Sequence, residues 1–160
     1  MSREKVPGTN AIRFLKQHKV RFVPHSYAYE EKGGTKTSAR ELAVDEYAII
    51  KTLVMEDDQQ RPLIVLMHGS CEVSVKHLAR QLKVKQITPC ARDRADRVTG
   101  YQTGGISPFG TRQSLPIYME ATIANLEKIW INGGKRGLLV EISPADLVRT
   151  LQPTTVSVAI

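Results

Sequence analysis

The chain has few cysteines, few aromatic residues and no long apolar run. Its two cysteines, Cys71 and Cys90, cannot form a disulfide framework and do not have Cys-x-x-Cys metal spacing. Aromatic residues make up 6% of the chain, so base stacking is not expected to dominate any nucleic-acid binding. No stretch resembles a membrane span, and no apolar segment follows the first five residues as in a secretory signal. These absences predict a reduced, cytoplasmic protein without membrane association, metal site or cofactor.

Positive charge is in excess. The 160 residues include 23 Lys or Arg against 16 Asp or Glu, which gives a formal net charge of +7. This excess favours an anionic partner, such as nucleic acid or a phosphorylated ligand, although solubility alone is an alternative explanation. The length and the 41% hydrophobic content predict one globular domain over residues 1–160.

Two apolar runs, Ile49–Met55 and Leu63–Met67, are the strongest predicted strands, and the polar residues 57–60 between them predict a hairpin. Weaker strands are expected at residues 20–23, 84–87, 116–120, 128–131, 138–142 and 154–158. Helices are expected to begin near Thr9 or Asn10, at a capping box from Ser38 to Glu41, at Ser74 and at Ser143-Pro144, with a further solvated helical face over residues 92–97. Residues 30–37 are predicted to form a mobile loop. This order predicts an α+β fold, a single domain with a mixed, curved sheet flanked by helices.

Lys51 is the most informative single residue, because it lies inside an apolar strand. Burying an ammonium group without a partner is costly. Such a lysine either extends to the surface or faces a polar cavity that holds an anion, and both interpretations stay open at this point. Strand alternation places Lys51 on one face with Ile49 and Leu53, and Ile50, Thr52 and Val54 on the other.

Two glycine-rich loops suggest close approaches of the backbone. The first runs from Gly100 to Gly110 and contains Gly104-Gly105 with Ser107-Pro108, so its N–H groups can face a carbonyl or phosphate, or the loop is a plain connection. The second, Gly133–Gly137, carries Lys135 and Arg136, which suit either a phosphate clamp or an exposed turn. A cysteine nucleophile is a weaker hypothesis, since neither cysteine has an evident base and orienting group.

Five segments together resemble the YbaK family of aminoacyl-tRNA deacylases, which are related to the editing domain of bacterial prolyl-tRNA synthetase. They are His25-x-Tyr27, Lys51-Thr52-Leu53, Thr99–Gly110, Leu115-Pro116 and Gly133–Gly137. The resemblance spans nearly the whole chain. It implies a free-standing hydrolase that deacylates mischarged aminoacyl-tRNA, foremost Cys-tRNA(Pro), at the ester to the terminal adenosine. The implied partners are the 3′ end of aminoacyl-tRNA and prolyl-tRNA synthetase.

The resemblance also implies roles for particular residues. The family's essential lysine corresponds to Lys51 and its pocket tyrosine to Tyr27. Its backbone contacts to the substrate ester correspond to the first glycine loop, and Lys135 and Arg136 are the expected phosphate contacts. The full set of implied substrate-binding residues is Gly104, Gly105, Ile106, Ser107, Pro108, Gly134, Lys135, Arg136 and His68.

Two positions depart from the family pattern. Leu139 stands where the cysteine-removing members often carry an acidic residue, and His68 stands where a small residue is common. In the cysteine-removing members the substrate's own thiol is the implied nucleophile, so no protein nucleophile is needed. A non-catalytic tRNA-binding module and a cysteine-dependent hydrolase are the alternative functions.

Overall fold

The computed structural model describes residues 6–160; residues 1–5, which entered the argument against a secretory signal, lie outside them. The described chain contains five helices, α1(Asn10–Gln17), α2(Gly34–Leu42), α3(Val75–Leu82), α4(Arg92–Thr99) and α5(Pro144–Leu151). Its eight strands are β1(Val23–Ser26), β2(Ile49–Asp57), β3(Pro62–His68), β4(Ile87–Pro89), β5(Ile117–Glu120), β6(Ile129–Asn132), β7(Leu138–Ile142) and β8(Thr154–Val156). No helix within 6–160 is long and apolar enough to cross a membrane.

All eight strands belong to one sheet of order β1-β7-β6-β2-β3-β5-β8, with β4 pairing to β2 outside this path. The pairs β2–β6, β3–β5 and β5–β8 are parallel, and the others are antiparallel. The predicted hairpin between β2 and β3 is confirmed, with Ile50 opposite His68 and Glu56 opposite Pro62. The α+β fold with a mixed sheet is therefore confirmed.

The core has two parts, one on each face of the sheet. On the first face, which we call the α1 face, Ile50, Val54, Ile64 and Leu66 pack with residues of α1, α4 and α5. On the second, the α3 face, Met55, Val65 and Met67 pack with Leu78 and Ala79 of α3. Alternation along β2 produces this division, because successive side chains of a strand point to opposite faces.

Helix α2 corrects two predictions. The segment 30–37 was expected to be a loop and Ser38 the helix N-cap, but the helix begins at Gly34 after Gly33, and Ser38 lies in its interior. The Ser38 hydroxyl donates to the carbonyl of Thr35 at 3.2 Å, and the Thr35 hydroxyl donates to Glu46 at 2.6 Å. These contacts inside the folded protein outweigh the local capping signal at Ser38.

The first strand was also predicted too early. Lys19 has φ 56°, and the N–H of Val20 donates to the carbonyl of Leu15, which closes α1 with a left-handed C-terminal turn. Val20 thus belongs to the helix cap, and β1 begins at Val23. Strands β4 and β8 likewise differ from the predicted 84–87 and 154–158, because β4 starts at Ile87 and β8 ends at Val156.

Strand β1 is the edge of the sheet beside β7. The N–H of Tyr27 donates to the carbonyl of Gly137. The backbone N–H and C=O groups of the odd residues of β1 therefore point toward β7, and those of the even residues point away from the sheet. One outward residue is Pro24, which has no N–H to offer. The edge is therefore protected against pairing with another strand.

Candidate functional site

A short stretch of β2 is open along one edge. The N–H of Gly69 donates to Ile49 and that of Asp57 to Arg61, so odd residues of β2 exchange hydrogen bonds with β3. The N–H and C=O of Thr52 consequently point away from β3. On that side β6 pairs with Ile49 and Ile50, and β4 pairs only from Met55 onward. Within the described chain, no strand pairs with the Thr52 backbone on this side.

A cavity of about 520 Å³ lies along this open edge. Its walls come from β2, from the segment after β1, from α2, from the start of α4 and from both glycine loops. The volume lies in the range of small-molecule sites. The residues that line the cavity include Tyr27, Tyr29, Lys51, Thr52, Leu53, Cys90, Arg92, Thr103, Gly104, Ile106, Asn132, Arg136 and Leu139.

Lys51 lies beside this cavity and is held by the loop that follows β3. Its Nζ donates to the carbonyl of Cys71 at 2.6 Å and lies 3.8 Å from a carboxylate oxygen of Glu72. The lysine side chain is 19% exposed, whereas that of Glu72 is 82% exposed. One of three ammonium donors is therefore used by the protein. The other donors remain for an anionic or carbonyl oxygen.

Tyr27 and Tyr29 enter the cavity from the chain after β1. The N–H of Tyr27 bonds to Gly137 at 2.9 Å, which ties this segment to the second glycine loop. Burial and the neighbouring Tyr29 raise the pKa of Tyr27 above its ordinary value. Its phenol is therefore protonated at neutral pH and can donate a hydrogen bond.

The two glycine loops contact each other directly. A Cβ on Gly105 would lie 2.7 Å from the backbone nitrogen of Arg136 and 2.8 Å from the carbonyl carbon of Lys135. Asn132 supports the same junction, because its Oδ1 accepts from the N–H groups of Gly134 at 2.7 Å and Lys135 at 3.2 Å. The close approach that the glycine pair suggested is thus, at Gly105, an approach to the other loop.

The cavity brings together part of the predicted set. Tyr27, Lys51, Gly104, Ile106 and Arg136 line it. Gly105, Ser107 and Pro108 also belong to the first loop, but they are buried and do not line the cavity. The Ser107 Oγ accepts from the N–H of Phe109. Lys135 is exposed beside Gly134 and, like it, is not among the lining residues.

His68 is not at the cavity. It is fully buried, its ring stacks on Tyr47 with a centroid distance of 3.7 Å, and Nδ1 lies 2.7 Å from the Tyr47 carbonyl. Its Nε2 lies 2.7 Å from the hydroxyl of Thr122. Both ring nitrogens are thus engaged within the protein, and the expected substrate contact at His68 is not supported by its position.

Several lining residues were not predicted as site residues from the sequence. Tyr29 follows Tyr27 by two positions, and Asn132 directly precedes the second glycine pair, which is a recognisable Asx-turn signal. Thr52 was assigned to the face opposite Lys51, yet both flank the open edge; its Oγ1 is buried and has no hydrogen-bond partner within 6–160. Cys90 also lines the cavity, and burial raises the pKa of its thiol, which disfavours the thiolate a nucleophile needs.

Metal chemistry has no evident ligand set here. Between residues 6 and 160, no three His, Cys, Asp or Glu side chains gather as they would around an ion. The donors that do converge are an ammonium group, a neutral phenol, a guanidinium and backbone N–H groups. Such donors stabilise negative charge on oxygen. The arrangement is a cavity with several hydrogen-bond donors in its walls, at the open edge of a mixed sheet.

Comparison with known proteins identifies the family. A family model described as aminoacyl-tRNA editing domain matches residues 30–150. The chain belongs to the aminoacyl-tRNA editing domain family, which confirms the predicted class, an aminoacyl-tRNA deacylase. A relative from Enterococcus faecalis, provisionally named Cys-tRNA(Pro)/Cys-tRNA(Cys) deacylase EbsC, is 30% identical over 141 residues, covering 88% of this chain and 86% of the relative.

Solved structures share the fold. A crystal structure provisionally assigned as a trans-editing enzyme for prolyl-tRNA synthetase has a TM-score of 0.82 at 17% identity, covering 98% of this chain and 99% of that one. A hypothetical protein has a TM-score of 0.86 at 19% identity, with coverage of 94% and 99%. The predicted editing-domain fold is therefore confirmed.

Proposed function

We propose that this protein hydrolyses mischarged Cys-tRNA(Pro) in trans, at the ester that joins the amino acid to the terminal adenosine. The observation that carries the proposal is the convergence of Lys51, Tyr27 and the first glycine loop on one cavity. The name of the relative from Enterococcus faecalis, which includes Cys-tRNA(Pro), supports the same substrate. The 3′ end of the tRNA would enter the cavity.

Negative charge develops on the ester carbonyl oxygen during attack. The Lys51 ammonium and the neutral Tyr27 hydroxyl are the side-chain donors for that oxygen or for the adjacent phosphate. The N–H groups of Gly104 and Ile106 make no hydrogen bond with another residue between 6 and 160, so they are backbone donors for the same purpose. Preorganised donors of this kind typically contribute about 100-fold or more each to the rate.

No protein nucleophile is required. In a cysteinyl ester the substrate thiol, as thiolate, can attack its own carbonyl carbon. The bond from that carbon to the ribose oxygen breaks, the ribose oxygen takes up a proton, and the amino acid leaves as a cyclic thioester. Water then adds to the thioester carbonyl carbon, the carbon–sulfur bond breaks, and free cysteine results. Water would attack in the same way for an amino acid without a thiol, leaving the free acid.

Leu139 bears on the choice of amino acid. It is 4% exposed and lines the cavity between Asn132 and His25, the residues opposite it on β6 and β1. Leu53 also lines the cavity, and these two apolar side chains suit a small amino-acid side chain of low polarity such as cysteine. We infer that a prolyl-tRNA synthetase supplies the selection of tRNA(Pro).

The test is deacylation of tRNA(Pro) charged with Cys, Ala, Ser or Pro. Wild-type protein should release Cys fastest, and Lys51→Ala should lower that rate about 100-fold or more. Lys36→Ala, an exposed lysine of α2, is the matched control and should retain full activity. No hydrolysis of any charged tRNA by wild-type protein would favour a non-catalytic tRNA-binding module.

The cysteine-dependent alternative has its own test. Replacing Cys71 and Cys90 together by Ala should leave deacylation within about threefold, since the Cys90 thiol is held protonated by burial. Loss of activity in a double variant that remains folded would support a protein thiol as nucleophile.

A further inference from the structure

Helix α3 and the residues after it carry a cluster of cations without acidic neighbours in sequence. From Val73 through Arg92 there is no Asp or Glu, while Lys and Arg occur five times, Arg92 included. We call the exposed residues Lys76, Arg80, Lys83 and Lys85 the α3 cation surface. None of their side-chain nitrogens lies within 4.0 Å of a carboxylate among residues 6–160, and the backbone N–H of Lys85 donates to Asp58 Oδ1 at 3.0 Å.

The helix geometry aligns two of these charges. Lys76 and Arg80 are four residues apart on α3, so they share one side of the helix. Lys83 is the left-handed C-cap that directly follows α3. The opposite side of α3 buries Leu78 and Ala79 against the sheet. From Lys76 to Arg80 the helix rises roughly 6 Å at about 1.5 Å per residue. With Lys83 these residues form a strip of exposed charge.

The strip lies on the face of the sheet to which Lys51, one of the two candidate catalytic residues, points. Lys51 and Leu53 point to the α3 face, and Leu53 both lines the cavity and packs in the cluster that contains Leu78. The chain that leaves α3 passes through β4 directly to Cys90 and Arg92, which line the cavity. Part of the cavity wall therefore lies on the face that carries the strip, while Ile50, Thr52 and Val54 line the cavity from the other face.

A second cation group offers a contrast. Lys16, Lys19 and Arg21 are also exposed and follow α1, but α1 packs on the opposite face through Ala11, Ile12 and Leu15. This group has the same composition as Lys76, Arg80 and Lys83, because each of the two groups contains two lysines and one arginine. Each group also contains one lysine with positive φ, Lys19 at 56° and Lys83 at 58°.

We propose that the α3 cation surface binds the phosphate backbone of the tRNA acceptor region while the aminoacylated end occupies the cavity; this rests on the proposed function. Phosphate contacts fix position and orientation but carry no sequence information. The surface would thus hold any tRNA at the cavity, which agrees with the inferred need for a synthetase to select tRNA(Pro).

The experiment compares two triple variants that each remove three positive charges: Lys76→Gln with Arg80→Gln and Lys83→Gln, and Lys16→Gln with Lys19→Gln and Arg21→Gln. Glutamine already occupies left-handed positions at Gln60 and Gln152, so Lys19 and Lys83 tolerate it. Steady-state deacylation is measured with full-length Cys-tRNA(Pro) and with the cysteinyl ester of adenosine. Affinity for uncharged tRNA is measured by fluorescence anisotropy at several salt concentrations.

The α3 variant should raise KM for Cys-tRNA(Pro) about tenfold or more and leave the adenosine ester unaffected. It should also reduce the slope of log affinity against log salt by about 2 to 3, as three lost phosphate contacts require. The variant at Lys16, Lys19 and Arg21 should change KM for Cys-tRNA(Pro) and the salt slope of the tRNA affinity by much less. Equal effects of the two variants, or no effect of the α3 variant on tRNA affinity, would overturn the proposal.

These outcomes are independent of the proposed reaction. If wild-type protein hydrolyses neither ester, deacylation fails as the function, while the anisotropy comparison still decides whether the α3 surface binds RNA. If both esters are hydrolysed and the α3 variant behaves as wild type toward tRNA, only the surface proposal fails.

Discussion

The guanidinium of Arg136 lies over the ring of Tyr29, with 5.1 Å between its Cζ and the ring centroid. Its Nε also donates to the carbonyl of Thr103 at 2.8 Å. One side chain of the second glycine loop therefore contacts both the first loop and the tyrosine segment after β1. Three walls of the cavity are fixed relative to one another through this residue.

Replacing Arg136 by Lys should raise KM for Cys-tRNA(Pro) about tenfold, because the lysine keeps the charge but cannot both stack on Tyr29 and donate to Thr103. Steady-state kinetics check this. Arg97→Lys, at an exposed position of α4, is the matched control and should behave as wild type. Equal kinetics for the two variants would contradict the role of the planar guanidinium.

Gly105→Ala should destabilise the protein by about 1–3 kcal/mol, because the added methyl group would overlap the backbone of Lys135 and Arg136. Urea unfolding measures the loss. The control is Gly8→Ala, where the nearest atom to the new Cβ is the end of Arg13 at 3.8 Å. The idea of tight loop packing is refuted if both variants unfold at the wild-type midpoint.

Tyr27→Phe should lower kcat about 100-fold or more with little change in KM or stability, since the ring and the backbone bond to Gly137 remain while the donated hydrogen bond is lost. Because burial raises the pKa of Tyr27, any decline of the wild-type rate from ionisation of this tyrosine should come at higher pH than for a free phenol. The pH–rate profile tests this. A Phe variant with wild-type kcat would remove Tyr27 from the reaction.

Glu120 should contribute stability that disappears in acid. Burial alone would raise its pKa, but N–H groups of Val158, Thr122 and Ala159 donate to the carboxylate and together lower the pKa below 4.5. Its ionised form therefore favours folding above about pH 4.5, and this contribution is lost as the pH falls through the folded-state pKa.

Glu120→Gln should consequently cost about 1–3 kcal/mol at pH 7 and less at low pH. Unfolding free energies between pH 3 and pH 7 measure the difference. Glu127→Gln, at an exposed position, should be neutral throughout. A constant difference between Glu120→Gln and wild type across that range would show that ionisation is not involved.

Much of the fold was predictable because its signals are local. Ser74 and Ser143 cap their helices as expected, and the β2–β3 hairpin follows from two apolar runs around a polar turn. The start of helix α2 was not predictable, because it depends on contacts of Thr35 with Glu46 and Gly69, which are distant in sequence.

The candidate site likewise contains residues that were predictable from the sequence and residues that were not. Lys51 was recognisable because a lysine in an apolar strand conflicts with its neighbours. The role of Gly105 was not recognisable, since a glycine pair in a sequence does not reveal whether its backbone approaches a ligand or another loop. His68 shows the reverse case: a polar residue at a strand end was expected at the pocket, but its hydrogen bonds to Tyr47 and Thr122 hold it inside the core.

The turn between β2 and β3 limits how this protein can tolerate insertions and deletions. A strand shifted by one residue turns every side chain to the other face. If one residue were added on the β2 side of the Asp57–Arg61 turn without a compensating bulge, Lys51 would move to the α1 face and away from the Cys71 carbonyl. Length variation in this turn should therefore inactivate the enzyme even where the chain still folds, whereas replacement of the exposed Gln59 by another residue should not.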